Sequence, residues 1–265
     1  MTAPVLANWA TSNSKTAGTT LTLQTFSAAY GVGDVLVAHL AMDPATGPVT
    51  FSAPILGTWT AWTTEQDIAQ GSGTSGVRSI VAWCVSLAAI SGNPNVPVTH
   101  PSVTARAGRV LQVTGADSTT PVRGSSSFAT ATFGSPTTTA AAGATFDGMW
   151  LLIPGFEAAT GGSVTYSVPS GWTAGSSSVM AGTSGGAAAT NISTSFQTAS
   201  LAGVAGGTAV TGGFTAPSGN AALVALILQN PQAAAASILP QQTQHRFPAR
   251  FTRLTPARAG TVYAR

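Results

Sequence analysis

Apolar and polar positions along this chain fall into two kinds of short run. The first kind alternates. Thr19–Phe26 (TTLTLQTF) and Phe128–Phe133 (FATATF) alternate with period two, the period of a strand with one buried face. The second kind is continuously apolar. Val35–Met42 (VLVAHLAM) suits a strand buried on both faces, and Arg78–Leu87 (RSIVAWCVSL), Met149–Ile153 (MWLLI) and Ala221–Leu228 (AALVALIL) read as further core strands. Val49–Ser52, Trp59–Thr64, Val96–Thr99, Arg109–Thr114, Val164–Val168 and Trp172–Ala174 supply shorter strands among Gly and Pro punctuation. Residues 1–18 read as polar and irregular, Gly71–Gly76 as a flexible loop, and Ser176–Thr198 as a region poor in large apolar residues that holds loops. Many short strands, Gly/Pro turns and no helical periodicity predict an all-β fold, a jelly-roll-like β-sandwich.

The pattern occurs twice. Residues 41–61 (AMDPATGPVTFSAPILGTWTA) align with residues 155–174 (GFEAATGGSVTYSVPSGWTA) at an offset near ~114 residues, which marks an internal two-fold repeat. Asp43 meets Glu157, Val49–Ser52 meets Val164–Ser167, Pro54 meets Pro169, and Trp59-Thr60-Ala61 meets Trp172-Thr173-Ala174. The expected organisation is an N-terminal segment (1–18), a β-sandwich (19–230) and a C-terminal segment (231–265). Half-copies span about 19–118 and 125–230. One sandwich of two interlocking halves is preferred over two tandem ones, because each copy holds few strands.

Past residue 230 the character changes. Asn230-Pro231 is a helix start signal, and Gln232–Leu239 is expected to form a short helix that Pro240 stops. Residues 241–265 have no periodicity and read as an extended arm that is disordered alone. Arg246, Phe247, Arg250, Phe251, Arg253, Arg258, Tyr263 and Arg265 are its candidate partner-binding residues.

Composition sharpens the contrast between body and arm. Of 265 residues only 6% are charged, against roughly 25% in an average soluble domain. Five of the ten basic residues are the arm's arginines, with no acid beside them. The rest of the chain carries five basic and seven acidic residues, so the basicity belongs to the arm. A single cysteine, Cys84, excludes a disulfide framework and a cysteine-based metal site. The N-terminus has no basic, apolar signal pattern, and no apolar run is long enough to span a membrane, so a protein made in a cytoplasm is expected.

Candidate chemistry is sparse. Gly71-Ser-Gly-Thr-Ser-Gly76 matches the dinucleotide pattern, but a β-type run follows it where that motif needs a helix. Gly182-Thr-Ser184-Gly-Gly186 matches the nucleophile elbow, yet no acid follows Glu157 and the only later histidine is His245. Glu65 and Asp67 are two apart and share a face if their segment is a strand. That pairing suits glycosidic chemistry, or merely a solubilised sheet edge. Asp43 and Glu157 read as turn caps, since no acidic cluster supplies the six to eight oxygens Ca²⁺ takes. His39, His100 and His245 share no metal spacing; His39 and Cys84 read as core residues. Trp59 and Trp172 are either packing residues or platforms for glycan stacking. Asn191-Ile-Ser193 is a glycosylation sequon by pattern only. No metal and no cofactor is expected. The arm's arginines and aromatics are better suited to docking on protein than to nucleic acid, for which the spacing is thin.

Gly33-Asp34-Val-Leu-Val-Ala, the Gly-Thr-Trp-Thr turn at 57–60, Ile-Val-Ala-Trp at 80–83 and Val-Leu-Gln-Val-Thr-Gly-Ala-Asp117 together resemble Thr/Ala/Gly-rich β-sandwich proteins of tailed bacteriophages, found among minor tail and head-decoration proteins. The resemblance covers about residues 19–230. It implies a virion structural protein with no catalytic residues, located on a capsid or tail surface, whose partners are other virion proteins, including copies of itself. A carbohydrate-binding module for host-surface glycans, using Trp59 or Trp172, is the alternative.

Overall fold

The computed structural model describes residues 3–73, 75–130, 137–158, 173–174, 181–182, 191–211 and 220–232. All lie within one compact unit, Met1–Gln232. The elements are strands: β1 (Val5–Ser14), β2 (Gly18–Leu23), β3 (Ala28–Tyr30), β4 (Val35–Met42), β5 (Thr50–Phe51), β6 (Thr63–Ser72), β7 (Ser75–Val85), β8 (Ile90–Gly92), β9 (Val96–Val103) and β10 (Arg106–Thr114). Then come β11 (Val122–Thr130), β12 (Thr137–Thr139), β13 (Phe146–Ala158), β14 (Thr173–Ala174), β15 (Ala181–Gly182), β16 (Asn191–Thr194), β17 (Gln197–Val204), β18 (Ala209–Thr211) and β19 (Asn220–Gln229). This is an all-β fold of several antiparallel sheets. The expected strand over 164–168 and, past Gln232, the expected helix and arm lie outside the described residues.

Two large sheets dominate. The first has the order β1-β10-β4-β7-β6; the second runs β11-β19-β13, with β16 and β17 both pairing the far side of β13. That side changes partner around Pro154, which has no N–H to offer a ladder; the Ser195 N–H bonds its carbonyl there. The two large sheets lie face to face: β6 on β11, β7 on β19, β4 on β13, β10 on β16 and β1 on β15. Val35, Val37, Val81, Leu111 and Val113 pack there against Met149, Leu151, Ile153, Val224, Leu226 and Leu228. Gly155 lets the sheets approach closely, since a Cβ there would stand 3.0 Å from the Ala41 Cβ.

Each large sheet is also covered on its outer face. The three-stranded sheet β2-β9-β5 places Leu21, Leu23, Val96, Val98 and Phe51 on Leu36, Leu40, Ile80 and Val110. Around the β12-β18 pair, Ala140, Phe146 and Val210 cover Trp150, Leu152, Leu223 and Ile227. The central strands β4 and β10 are therefore buried on both faces, as is nearly all of β19. This is why β4 and β19 read as nearly continuous apolar runs, whereas β10 carries Arg106, Arg109 and Gln112 buried on internal partners.

Three expectations need correction. Residues 1–18 are not irregular: β1 pairs β10 along nine register positions. It is a half-exposed edge strand with a bulge between Leu6 and Asn8, so its alternation is blurred. The strand expected over Trp59–Thr64 begins at Thr63, and Trp59 makes only an isolated bridge to Ser86. Gly71 and Gly76 are not in a flexible loop but face each other in the paired ends of the β6–β7 hairpin. Both glycines have positive φ, and a Cβ on either would collide with the facing carbonyl at 2.2 Å.

Candidate functional site

The register of the strands sets up two ends of the described body. At one end, here the hairpin end, lie Gly71–Gly76 and the loop Pro44–Gly47. At the other, the exit end, lie the start of β4, the ends of β7 and β10, the start of β13 and the end of β19. The backbone ties this end together: Asp117 N–H bonds the Gln229 carbonyl and Asn230 N–H bonds the Asp147 carbonyl. The described chain also ends there, at Gln232.

Cations at the hairpin end are engaged internally. Arg78 makes a bidentate pair with Asp67, at 2.8 and 2.6 Å, which raises its pKa further. Its remaining nitrogen donates to the carbonyls of Ala45 and Gly47. Those groups line a cleft of about 420 Å³. Buried Arg106 donates to the carbonyls of Thr16, Thr20 and Val103. Asp43, following β4, accepts the N–H groups of Thr104 and Ala105 at 3.1 and 2.9 Å, and so caps the turn between β9 and β10. Glu157, near the end of β13, accepts from Asn220 Nδ2 at 2.7 Å, at the start of β19. Capping for Asp43 is thus realised, though on a turn brought from elsewhere in the chain.

Glu65 and Asp67 do not share a face. A bulge between Thr64 and Gln66 inserts one residue, so the period of two fails at Glu65. Glu65 accepts from Trp83 Nε1 at 3.1 Å, whereas Asp67 holds Arg78, five positions away along β7 and thus on its other face. The two carboxylates therefore make no common site.

A buried polar cluster between the large sheets was only partly visible in the sequence. His39 Nε2 lies 2.7 Å from Ser79 Oγ, and Nδ1 lies 2.5 Å from Thr194 Oγ1. Beside it, Arg109 donates to the Thr194 carbonyl at 2.8 Å, and its guanidinium stands 5.5 and 5.4 Å from the rings of Trp9 and Phe196. A serine bonded to a histidine is the beginning of a nucleophile–base pair. Here the third partner is a hydroxyl where the triad has a carboxylate. Burial, assisted by the charge of Arg109, lowers the His39 pKa to about 3. Such an imidazole is a poor base, and Ser79, Thr194 and His39 have no exposed surface. The cluster therefore acts as a polar strut that fixes how the sheets register.

Other sequence candidates separate. Cys84 is buried, and its thiol pKa is pushed up by burial. His100 is buried with Nδ1 2.7 Å from the Pro101 carbonyl, and burial lowers its pKa. Among the described residues, no group of three His, Cys, Asp or Glu side chains could hold a metal ion. Trp59 is half-buried: its Nε1 donates to the Leu56 carbonyl and its ring meets Tyr30 edge-on at 5.8 Å. Trp172, Ser184, His245 and the arm residues Arg246, Phe247, Arg250, Phe251, Arg253, Arg258, Tyr263 and Arg265 lie outside the described residues.

The exit end differs in kind. Val32, Ile55, Leu56 and Leu87 are exposed by 70%, 64%, 40% and 54%. Hydrogen bonds gather them into one loop cluster, since Gly33 N–H bonds the Ser86 carbonyl and Leu87 N–H bonds the Thr58 carbonyl. Four carboxylates, Asp34, Glu65, Asp117 and Asp147, are placed toward this end. Burial raises the Asp117 pKa, but the N–H groups of Thr120, Thr119 and Gln232 outweigh it and hold it low. The basic group there is Arg123, which donates to Gln229 and to the carbonyls of Ala141 and Ala144 and lies 4.4 Å from the Phe146 ring centre. No family model, curated protein or solved structure matches this chain.

Proposed function

We propose that this chain is a non-enzymatic structural protein of a tailed-bacteriophage virion, a capsid decoration or minor tail protein, anchored to neighbouring subunits by its Arg/aromatic C-terminal arm. The observation that carries this reading is the division of charge. The body holds five basic and seven acidic residues, while the last twenty residues hold five arginines and no acid. A body whose described cations are largely engaged internally has little means of capturing a charged ligand. An arm of spaced arginines and aromatics is the composition of a docking segment, since Arg and aromatic residues dominate binding energy at protein interfaces.

We also read the body as a duplicated β-sandwich. Support comes from the repeat of residues 41–61 in 155–174 and from the matching strand orders. In each large sheet the first strand pairs the last and the last pairs the second. The stacking of β4 on β13, β7 on β19 and β10 on β16 is what a pseudo-two-fold axis near β4 and β13 produces.

Deletion of residues 240–265 tests the assembly role. The truncated chain is expected to fold and to stay off the particle when expressed with its partners. Normal incorporation of the truncated protein would sink the tether.

A further inference from the structure

Among the described residues, four of the seven exposed large hydrophobic side chains, Val32, Ile55, Leu56 and Leu87, form the loop cluster at the exit end. An apolar cluster of this kind in a protein body marks an interaction site more often than chance. The part-exposed carboxylates Glu65, Asp117 and Asp147 lie toward the same end, while Asp34 is buried there on Gly31 and Gln112. We propose that the exit end is the receptor for the C-terminal arm of a second copy of this chain, with Phe247 and Phe251 on the aliphatic cluster and Arg246, Arg250 and Arg253 facing its carboxylates. The proposal rests on the tether reading, since an arm can link subunits only by engaging another molecule.

Three observations select this occupant. The arm supplies the complementary chemistry, aromatic anchors between arginines, for an exposed apolar cluster at an end that also carries Glu65, Asp117 and Asp147. The described chain ends at Gln232 on this same end, where its N–H bonds Asp117. The fourteen residues from there to Arg246 span at most about 50 Å when extended, so the arm's anchors can leave the body that carries them. Arm-into-receptor contact is head-to-tail, so it propagates into rings or open chains of subunits and does not stop at a symmetric pair.

Full-length chains test this by complementation. Leu87→Asp removes the receptor and leaves the arm; Phe251→Ala with Arg250→Glu removes the arm and leaves the receptor. The wild type is expected to self-associate with rising concentration in analytical ultracentrifugation. Each variant alone is expected to associate about thirtyfold more weakly or less, the effect of losing one hot-spot contact. Mixing the two is expected to restore a single contact and give a one-to-one pair that grows no further. If the arm variant loses association and Leu87→Asp does not, the receptor lies elsewhere and this inference fails while the tether reading stands. A wild type that stays monomeric also overturns it, because the arm's partner is then a different protein. If both variants associate as the wild type does, the inference and an anchoring role for these arm residues in self-assembly fall together.

Discussion

The two ends of the body are built from the same kind of strand and loop, and both engage charged groups internally, yet they differ in their apolar groups. At the hairpin end, Arg78 and Arg106 donate to Asp67 and to carbonyls of the loops they cross, and Asp43 caps a turn with two N–H groups. At the exit end, the four aliphatic side chains Val32, Ile55, Leu56 and Leu87 are 40–70% exposed. A surface whose arginines and turn-capping carboxylate are bonded internally contributes stability and little affinity. One that leaves apolar area exposed forgoes some stability and gains a place to bind. Side-chain replacements at the hairpin end should therefore lower stability, and those at the exit end should alter association.

The largest effect is expected for Arg106→Ala. It removes a buried guanidinium and strands the carbonyls of Thr16, Thr20 and Val103 at the junction of β1, β2, β9 and β10. A loss of about 2–4 kcal/mol in denaturant unfolding is expected. A loss below about 0.5 kcal/mol would show that these bonds are replaceable by water, and the contrast between the ends would lose its basis.

The second effect concerns pH and the polar strut, which sits between the sheets toward the hairpin end. The folded pKa of His39 is about 3, below the unfolded value near 6.5, so the unfolded chain binds the proton more readily. Its contribution is fully present above about pH 6.5 and is lost as pH falls toward 3. By pH 4.5 the loss is about 2–3 kcal/mol relative to pH 7. His39→Gln should lower stability at neutral pH and flatten the profile between pH 6.5 and 4.5. An unchanged slope in that variant would mean that other groups set the acid response.

How much of this was legible in the chain varies with burial. β4 and β19 are central strands covered on both faces, so a nearly plain apolar run announces them. β1 is an edge with a bulge, and half-exposed edges follow no strict period. The bulge at Glu65 defeated the rule that residues two apart share a face, because one inserted residue reverses every orientation after it. The hairpin at Gly71–Gly76 has no apolar period at all; its constraint is the facing glycine pair. His39 was readable as a core residue, but its partner Thr194 is 155 positions away, and nothing in the local pattern reports such a contact. Arg109 was the available clue: an arginine inside a continuously buried strand must find partners. Val32, Ile55, Leu56 and Leu87 look like any core residues in the sequence, and only their burial sets them apart.

A third, smaller effect is expected for Asp43→Asn. The amide oxygen can still accept from Thr104 or Ala105, but it loses the charge that strengthens both bonds. About 1–2 kcal/mol of stability should disappear, less than for Arg106→Ala. Amide exchange at Ala105 should rise in step if the cap is the cause.

The smallest effect is the one that tests the comparison most directly. Leu87→Asp and Ile55→Asp place a charge on side chains that are already 54% and 64% exposed. Their unfolding free energies should stay within about 0.5 kcal/mol of the wild type, as surface substitutions do. Should Leu87→Asp destabilise the fold as much as Arg106→Ala, the aliphatic cluster is supporting the body, as Ile90 and Trp59 beneath it do, and the exit end is no freer than the hairpin end. A stable variant with altered self-association would leave docking as the property that the exposed side chains serve.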